Sequence, residues 1–86
     1  MILDERVMRL IAVGASVTAN CQPCLQINVT KALENGADEQ EIAAAIEVGR
    51  MVRKGAASKM DQFAASLNYV APSLANVMDN ECGCDS

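Results

Sequence analysis

The sequence predicts an all-helical domain, and three observations carry that prediction. Apolar residues recur at three- and four-residue intervals, and no segment shows the alternation of a strand. Residues that start and stop helices fall at the ends of these periodic stretches. The apolar half of the composition is mostly Ala, Val, Leu, Ile and Met, with one Tyr, one Phe and no Trp. That set suits closely packed helices but supplies few large side chains to bury. One domain is expected from 86 residues, and a chain of this size buries only about 60% of its unfolded surface. Subunits are therefore expected to share a core, since a small helical chain needs staples or partners.

Four helices are expected, taken in order. The first runs from about Asp4 to Thr18, with Val7, Leu10, Ile11, Gly14 and Val17 on one stripe. Asn20 reads as the N-cap of a second, from about Cys21 to Glu34. Pro23 is tolerated in its first turn, where the missing N–H has no intrahelical acceptor. Asn35-Gly36 supplies the stop, with Gly in the left-handed position. A third helix starts at Asp38, three residues before Glu41, the spacing of a capping box. Ile42, Ala45, Ile46 and Gly49 form its buried stripe, and it ends near Val52 or Arg53 because Gly55 breaks it. A fourth covers about Ala56 to Tyr69, with Met60, Phe63, Ala64 and Leu67 on one face, and Pro72 ends the regular part. Residues 1–72 are thus expected to be the helical domain. Residues 73–86 read as an acidic C-terminal tail closed by Cys82-Gly83-Cys84-Asp85-Ser86.

Charge narrows the partners. Eleven acidic and seven basic residues give a net charge of −4, which disfavours nucleic acid and anionic membranes. Arg50, Arg53, Lys54 and Lys59 cluster, and a solvated helix face accounts for them. No stretch has the roughly 18–20 apolar residues of a membrane-spanning helix. Leu10 to Ala19 resembles a short signal core, but Asp4 and Glu5 sit where such a signal carries positive charge, so it reads as helix. Four cysteines in an acidic chain without an export signal imply a reducing, cytoplasmic setting, where paired thiols are redox-active or metal-binding more often than structural. No motif for a nucleotide, flavin or haem is present, and no cofactor is expected.

The chemistry lies in Cys21-Gln22-Pro23-Cys24 at the start of the second helix. Two cysteines three positions apart in a first turn can close a disulfide without unfolding the helix. Helix N-termini and C-x-x-C pairs lower a thiol pKa from about 8.5 to about 7 or below, because unpaired N–H groups and the helix dipole favour negative charge there. Cys24 is the better placed to feel those groups, and Pro23 stiffens the turn. A reversible dithiol is the leading reading. A soft metal or metalloid site on Cys21, Cys24, Cys82 and Cys84 is the alternative, with four thiolates available but no His and an unusual C-x-C knuckle. A non-catalytic oligomeric subunit is the third.

The run Arg9-Leu10-Ile11-Ala12-Val13-Gly14-Ala15-Ser16-Val17-Thr18-Ala19-Asn20-Cys21-Gln22-Pro23-Cys24, with the Gly36-to-Ile42 turn and the small-residue helix after it, resembles the AhpD-like (carboxymuconolactone decarboxylase) family. The likeness covers about Val7 to Leu67. It implies an all-helical fold that assembles into homo-oligomers, as dimers, trimers or hexamers. It also implies alkylhydroperoxidase-like, antioxidant activity of the peroxiredoxin type, or related disulfide reduction, fed by a dithiol electron-donor protein. Cys21 and Cys24 match the family's catalytic pair. In the peroxidases, a Glu twelve positions before the first Cys and a His four after the second form a proton relay. Those positions are Arg9 and Asn28 here, and Pro23 stands where some members have a further His. Asn cannot titrate, so the relay is lost or rebuilt. Arg9 and Asn28 remain candidate site residues: Arg9 as a fixed positive charge that favours thiolate, Asn28 as a donor one turn beyond Cys24. Glu5 is a candidate to neutralise Arg9 or to act as a displaced carboxylate. Cys82 and Cys84 read as auxiliary thiols, either a tethered dithiol or a soft-ion trap, and a C-x-C disulfide closes a small, strained ring.

Overall fold

The structure is a computed structural model, and it describes residues 2–69 as three helices. They are α1 (Glu5–Thr18), α2 (Gln22–Glu34) and α3 (Glu39–Ser66). The expected tail from Ser73 to Ser86, with Cys82 and Cys84, lies outside the described residues, as does Pro72. The all-helical expectation holds: the described residues contain no strand.

Each helix begins and ends for a local reason. Asp4 caps α1 by accepting from the Val7 N–H at 2.9 Å. At its other end the Asn20 N–H donates to Val17 O and the Cys21 N–H to Ser16 O, both at 3.0 Å. That pair of bonds is a Schellman motif, and its left-handed residue is Asn20, at φ 58°. Asn20 is therefore not the N-cap of α2, as its position suggested; Cys21 is. The α1 stop needs a residue that tolerates positive φ, and Asn is the one non-glycine in reach that does so at low cost. The same motif closes α2: Gly36 at φ 95° takes the left-handed position, and the Ala37 N–H donates to Ala32 O at 3.0 Å. The capping box at α3 is formed as expected, with Asp38 and Glu41 exchanging bonds of 2.8 and 3.1 Å.

The expected break at Gly55 does not occur. α3 runs unbroken through it for 28 residues, about 42 Å at 1.5 Å per residue. A lone glycine in a helix costs only about 1 kcal/mol, and Gly55 stands among Ala, Lys and Met, which favour helix. No proline or cap lies beside it to redirect the chain. The third and fourth expected helices are one element.

α1 is the centre of the packing. It meets both α2 and α3, which hardly touch each other. Arg6 of α1 pairs with Glu41 at the start of α3, and Thr18 at the other end of α1 reaches Gly49 O, so α1 and α3 run parallel. α2 returns antiparallel along α1. Val13, Ala32, Ala37 and Ile42 form the core, with Leu10, Leu25, Val29, Ala45 and Ile46 packed around it. Ala32 and Ala37 are also the two residues joined by the bond that ends α2, so the turn chemistry and the core coincide.

Two glycines set how closely α1 and α3 cross. A Cβ on Gly14 would stand 3.0 Å from Ala45 O, and one on Gly49 would overlap the Gly14 carbonyl oxygen and lie 2.9 Å from Val17 Cβ. The Thr18 hydroxyl sits in the crossing, 3.1 Å from Gly14 O and 2.9 Å from Gly49 O.

The apolar stripes are only partly covered. Gly14 and Val17 are buried, whereas Ile11 is 57% exposed. With Val7, Leu10, Val48 and Val52 it lines an open apolar groove of about 620 Å³ between α1 and α3. Met60 and Phe63, expected on one face of a fourth helix, are 64% and 62% exposed. Beyond Arg53 every residue of α3 is exposed.

Candidate functional site

The cysteine pair sits where two helices join. Cys21 is the residue that closes the end of α1, through its N–H to Ser16 O, and it is also the N-cap of α2. Cys24 lies three residues on, in the first turn. The two are joined by a disulfide, with Sγ–Sγ 2.01 Å and Cα–Cα 5.3 Å. The Cys24 residue is exposed and Cys21 half-buried.

This placement changes which sulfur meets the helix end. An N-cap side chain accepts from the N–H two or three residues ahead. The first of these belongs to Pro23, which has none, and the second belongs to Cys24 itself. In the disulfide Cys21 makes no capping bond. Cys21, rather than Cys24, therefore occupies the acceptor position at the positive end of the helix.

A polar chain runs along one side of the α1–α2 contact. Glu5 accepts from Arg9 Nε at 3.0 Å, and Arg9 Nη1 donates to Asn28 Oδ1 at 3.2 Å. The Asn28 amide donates to Cys24 O at 2.9 Å and, at a longer 3.4 Å, to Ser16 Oγ. Ser16, buried, donates in turn to Ala12 O at 2.7 Å. The structure thus brings Glu5, Arg9, Asn28 and the Cys24 backbone together. The Arg9 guanidinium is engaged by Glu5 and Asn28, and Asn28 bonds the carbonyl of Cys24, not a sulfur.

A family model described as the carboxymuconolactone decarboxylase family matches residues 2–66, all three helices. The chain belongs to the carboxymuconolactone decarboxylase family. No curated protein and no solved structure matches it. In this member of the family, Cys21 and Cys24 are at disulfide distance, and Arg9 and Asn28 are in contact with each other.

Two residues of the site were not singled out from the sequence. Ser16 lies within an apolar stretch and only the tertiary packing of α2 brings Asn28 to it. Arg53 was read as part of a solvated face, yet Nη1 donates to Val17 O at 3.2 Å and to Asn20 Oδ1 at 2.9 Å. It pins the left-handed turn that carries Cys21. It is 33 positions from Asn20, too far for any local pattern to announce.

Among the described residues no group of three or more His, Cys, Asp or Glu is placed to hold a metal ion. The four-thiolate alternative needs Cys82 and Cys84, outside those residues. No helix among the described residues is long and apolar enough to cross a membrane.

Proposed function

We infer that this protein is a thiol–disulfide oxidoreductase that cycles Cys21 and Cys24 between dithiol and disulfide. The observation that carries the reading is the pair itself, bridged across the N-cap and first turn of α2. In the reduced state the Cys21 sulfur is free to accept the Cys24 N–H, which favours its thiolate. Attack by an external thiol falls on the more exposed Cys24, and Cys21 leaves as the thiolate held by the helix end. Membership of the carboxymuconolactone decarboxylase family, with its AhpD-like redox members, supports this chemistry.

The partner in that cycle is a dithiol electron-donor protein, and the setting is a reducing, cytoplasmic one. Assembly of several copies covers the apolar groove and the exposed Met60 and Phe63 face. Peroxide reduction through a Glu–His relay does not fit, because Arg9 and Asn28 stand at those positions and neither moves a proton near neutral pH. Here Arg9 and Asn28 are positioning residues: they fix the Cys24 backbone through its carbonyl.

Equilibration of the protein in glutathione or dithiothreitol buffers, with alkylation and mass mapping, tests the reading. A single two-electron transition at Cys21 and Cys24 is expected. A pair that stays oxidised or stays reduced across the whole range refutes it. Stopped-flow mixing of the reduced protein with an alkyl hydroperoxide tests the second part. Slow loss of both thiols is expected, and loss as fast as the mixing would show that a peroxidase relay exists by another route.

A further inference from the structure

Beside the disulfide lies a cationic groove that the redox reading does not use. It has a volume of about 860 Å³ and is lined by Asn20, Arg50, Met51, Arg53 and Lys54. Asn20 is the residue directly before Cys21. One carboxylate, Glu47, faces the groove, 3.7 Å from Arg50. Among the described residues no carboxylate pairs with Arg53 or Lys54. Three cations against one anion leave a positive surface at the mouth of the site.

The chain holds a segment of matching chemistry. Residues 70–86 carry Asp79, Glu81 and Asp85 and no Lys or Arg, and the acidic residues flank Cys82-Gly83-Cys84. We propose that this acidic C-terminal segment docks in the Arg50–Lys54 groove of its own subunit and exchanges disulfides with Cys21–Cys24. The proposal rests on the redox reading of that pair and names its immediate partner.

Reach allows the contact. From Arg53 to Ser66, α3 carries the chain about 20 Å past the groove. Twelve residues, Val70 to Glu81, then precede the first tail thiol, Cys82, and the thirteen from Val70 through Cys82 span about 43 Å when fully extended. That is about twice the return distance. A tethered thiol at such a length acts at an effective concentration in the millimolar range, and opposite charges add to the encounter rate.

The exchange balances within the chain. The Cys82 thiolate attacks Cys24 Sγ; the Cys21–Cys24 bond breaks, a Cys24–Cys82 bond forms, and Cys21 leaves as thiolate. The Cys84 thiolate then attacks Cys82 Sγ, forming Cys82–Cys84 and releasing Cys24 as thiolate. Two electrons pass from the tail pair to the helix pair, and the two protons lost by the tail thiols are taken up by Cys21 and Cys24. The C-x-C disulfide so formed is strained and readily reduced by an external dithiol, which restores the tail.

The trap is the full chain with Cys21→Ser and Cys84→Ser, which leaves Cys24 and Cys82. Serine is itself a good N-cap, so α2 keeps its start. Oxidised with glutathione disulfide and mapped by non-reducing mass spectrometry, it is expected to give a Cys24–Cys82 bond within one chain, at a rate independent of protein concentration. Adding Arg50→Glu and Lys54→Glu is expected to slow that step about tenfold, and about 0.5 M salt to remove the difference. Arg53 is left in place because it holds the Asn20 turn. No Cys24–Cys82 bond, or a rate unmoved by charge reversal at low salt, overturns the proposal. A rate that rises with protein concentration overturns it in favour of the tail of a second copy. Reduction of the wild-type disulfide by dithiothreitol separates the failures: if that succeeds while the trap stays empty, only the tail proposal falls.

Discussion

Replacing Gly49 by Ala tests whether the α1–α3 crossing sets the geometry around the cysteines. Two opposed effects must be weighed. In a helix interior Gly→Ala gains about 1 kcal/mol from propensity alone. Against this, the new Cβ would overlap the Gly14 carbonyl oxygen and lie 2.9 Å from Val17 Cβ. Overpacking of that kind costs about 1–3 kcal/mol, and the upper part applies because a backbone carbonyl cannot rotate away. The net expectation is a loss of about 1–2 kcal/mol, or roughly 4–16 °C in Tm for a domain of this size. Gly55→Ala is the control: its Cβ meets nothing within 4 Å, so propensity acts alone and stability is unchanged or raised. Urea denaturation at one fixed protein concentration reads both, since any self-association makes the midpoint concentration-dependent. Gly49→Ala at or above wild-type stability, with Gly55→Ala below it, would refute the reasoning. Because Arg53 lies one turn beyond Gly49, the clash should also loosen its grip on Asn20. Faster reduction of Cys21–Cys24 by dithiothreitol in Gly49→Ala is expected.

Three further outcomes follow from individual residues. Asn20→Val forces a β-branched side chain to φ 58° and is expected to cost about 1–3 kcal/mol, whereas Asn20→Gly keeps the turn and loses only the Arg53 bond; thermal melts of the two distinguish them. Asp38→Ala removes the side-chain half of the α3 capping box, the bond from the Glu41 N–H, and leaves the bond from the backbone N–H of residue 38 to Glu41; it should cost about 1 kcal/mol, read by denaturation, with loss of amide protection confined to the first turn of α3. Arg9→Glu with Asn28→His installs a titrating pair beside Cys24, and the double variant is expected to gain peroxide reduction that follows an imidazole titration near pH 6–7; either single variant, or a flat pH profile, should show none.

Much of this fold was legible because its signals are local. The Asp38–Glu41 box, the Asn35-Gly36 stop and Pro23 in a first turn each act within four residues. The errors came where a local signal had two readings. Asn is favoured both as an N-cap and as a left-handed residue, and only the bonds from Cys21 and Asn20 back to α1 chose the second. Gly55 was ambiguous in the same way, and helical neighbours outweighed it. The stripe on α1 includes Ile11, which is exposed, because periodicity identifies an apolar face without saying what covers it.

For the site, the sequence by itself determined the cysteine pair and its place at a helix start. Those are matters of residue identity and short spacing. Tertiary structure alone decided that Cys21 is the capping residue, that Asn28 joins Arg9 and Ser16 while bonding the Cys24 carbonyl, and that Arg53 holds the turn before Cys21. The bond from Asn28 to the Cys24 carbonyl and the bond that makes Cys21 the cap are local. The contacts of Asn28 with Arg9 and Ser16 and of Arg53 with Val17 and Asn20 depend on how α1 packs against α2 and α3, over separations of 12 to 36 positions. Helix periodicity carries no information about partners so far away. The close crossing of α1 and α3 at Gly14 and Gly49 is what brings Arg53 within reach of the Asn20 turn.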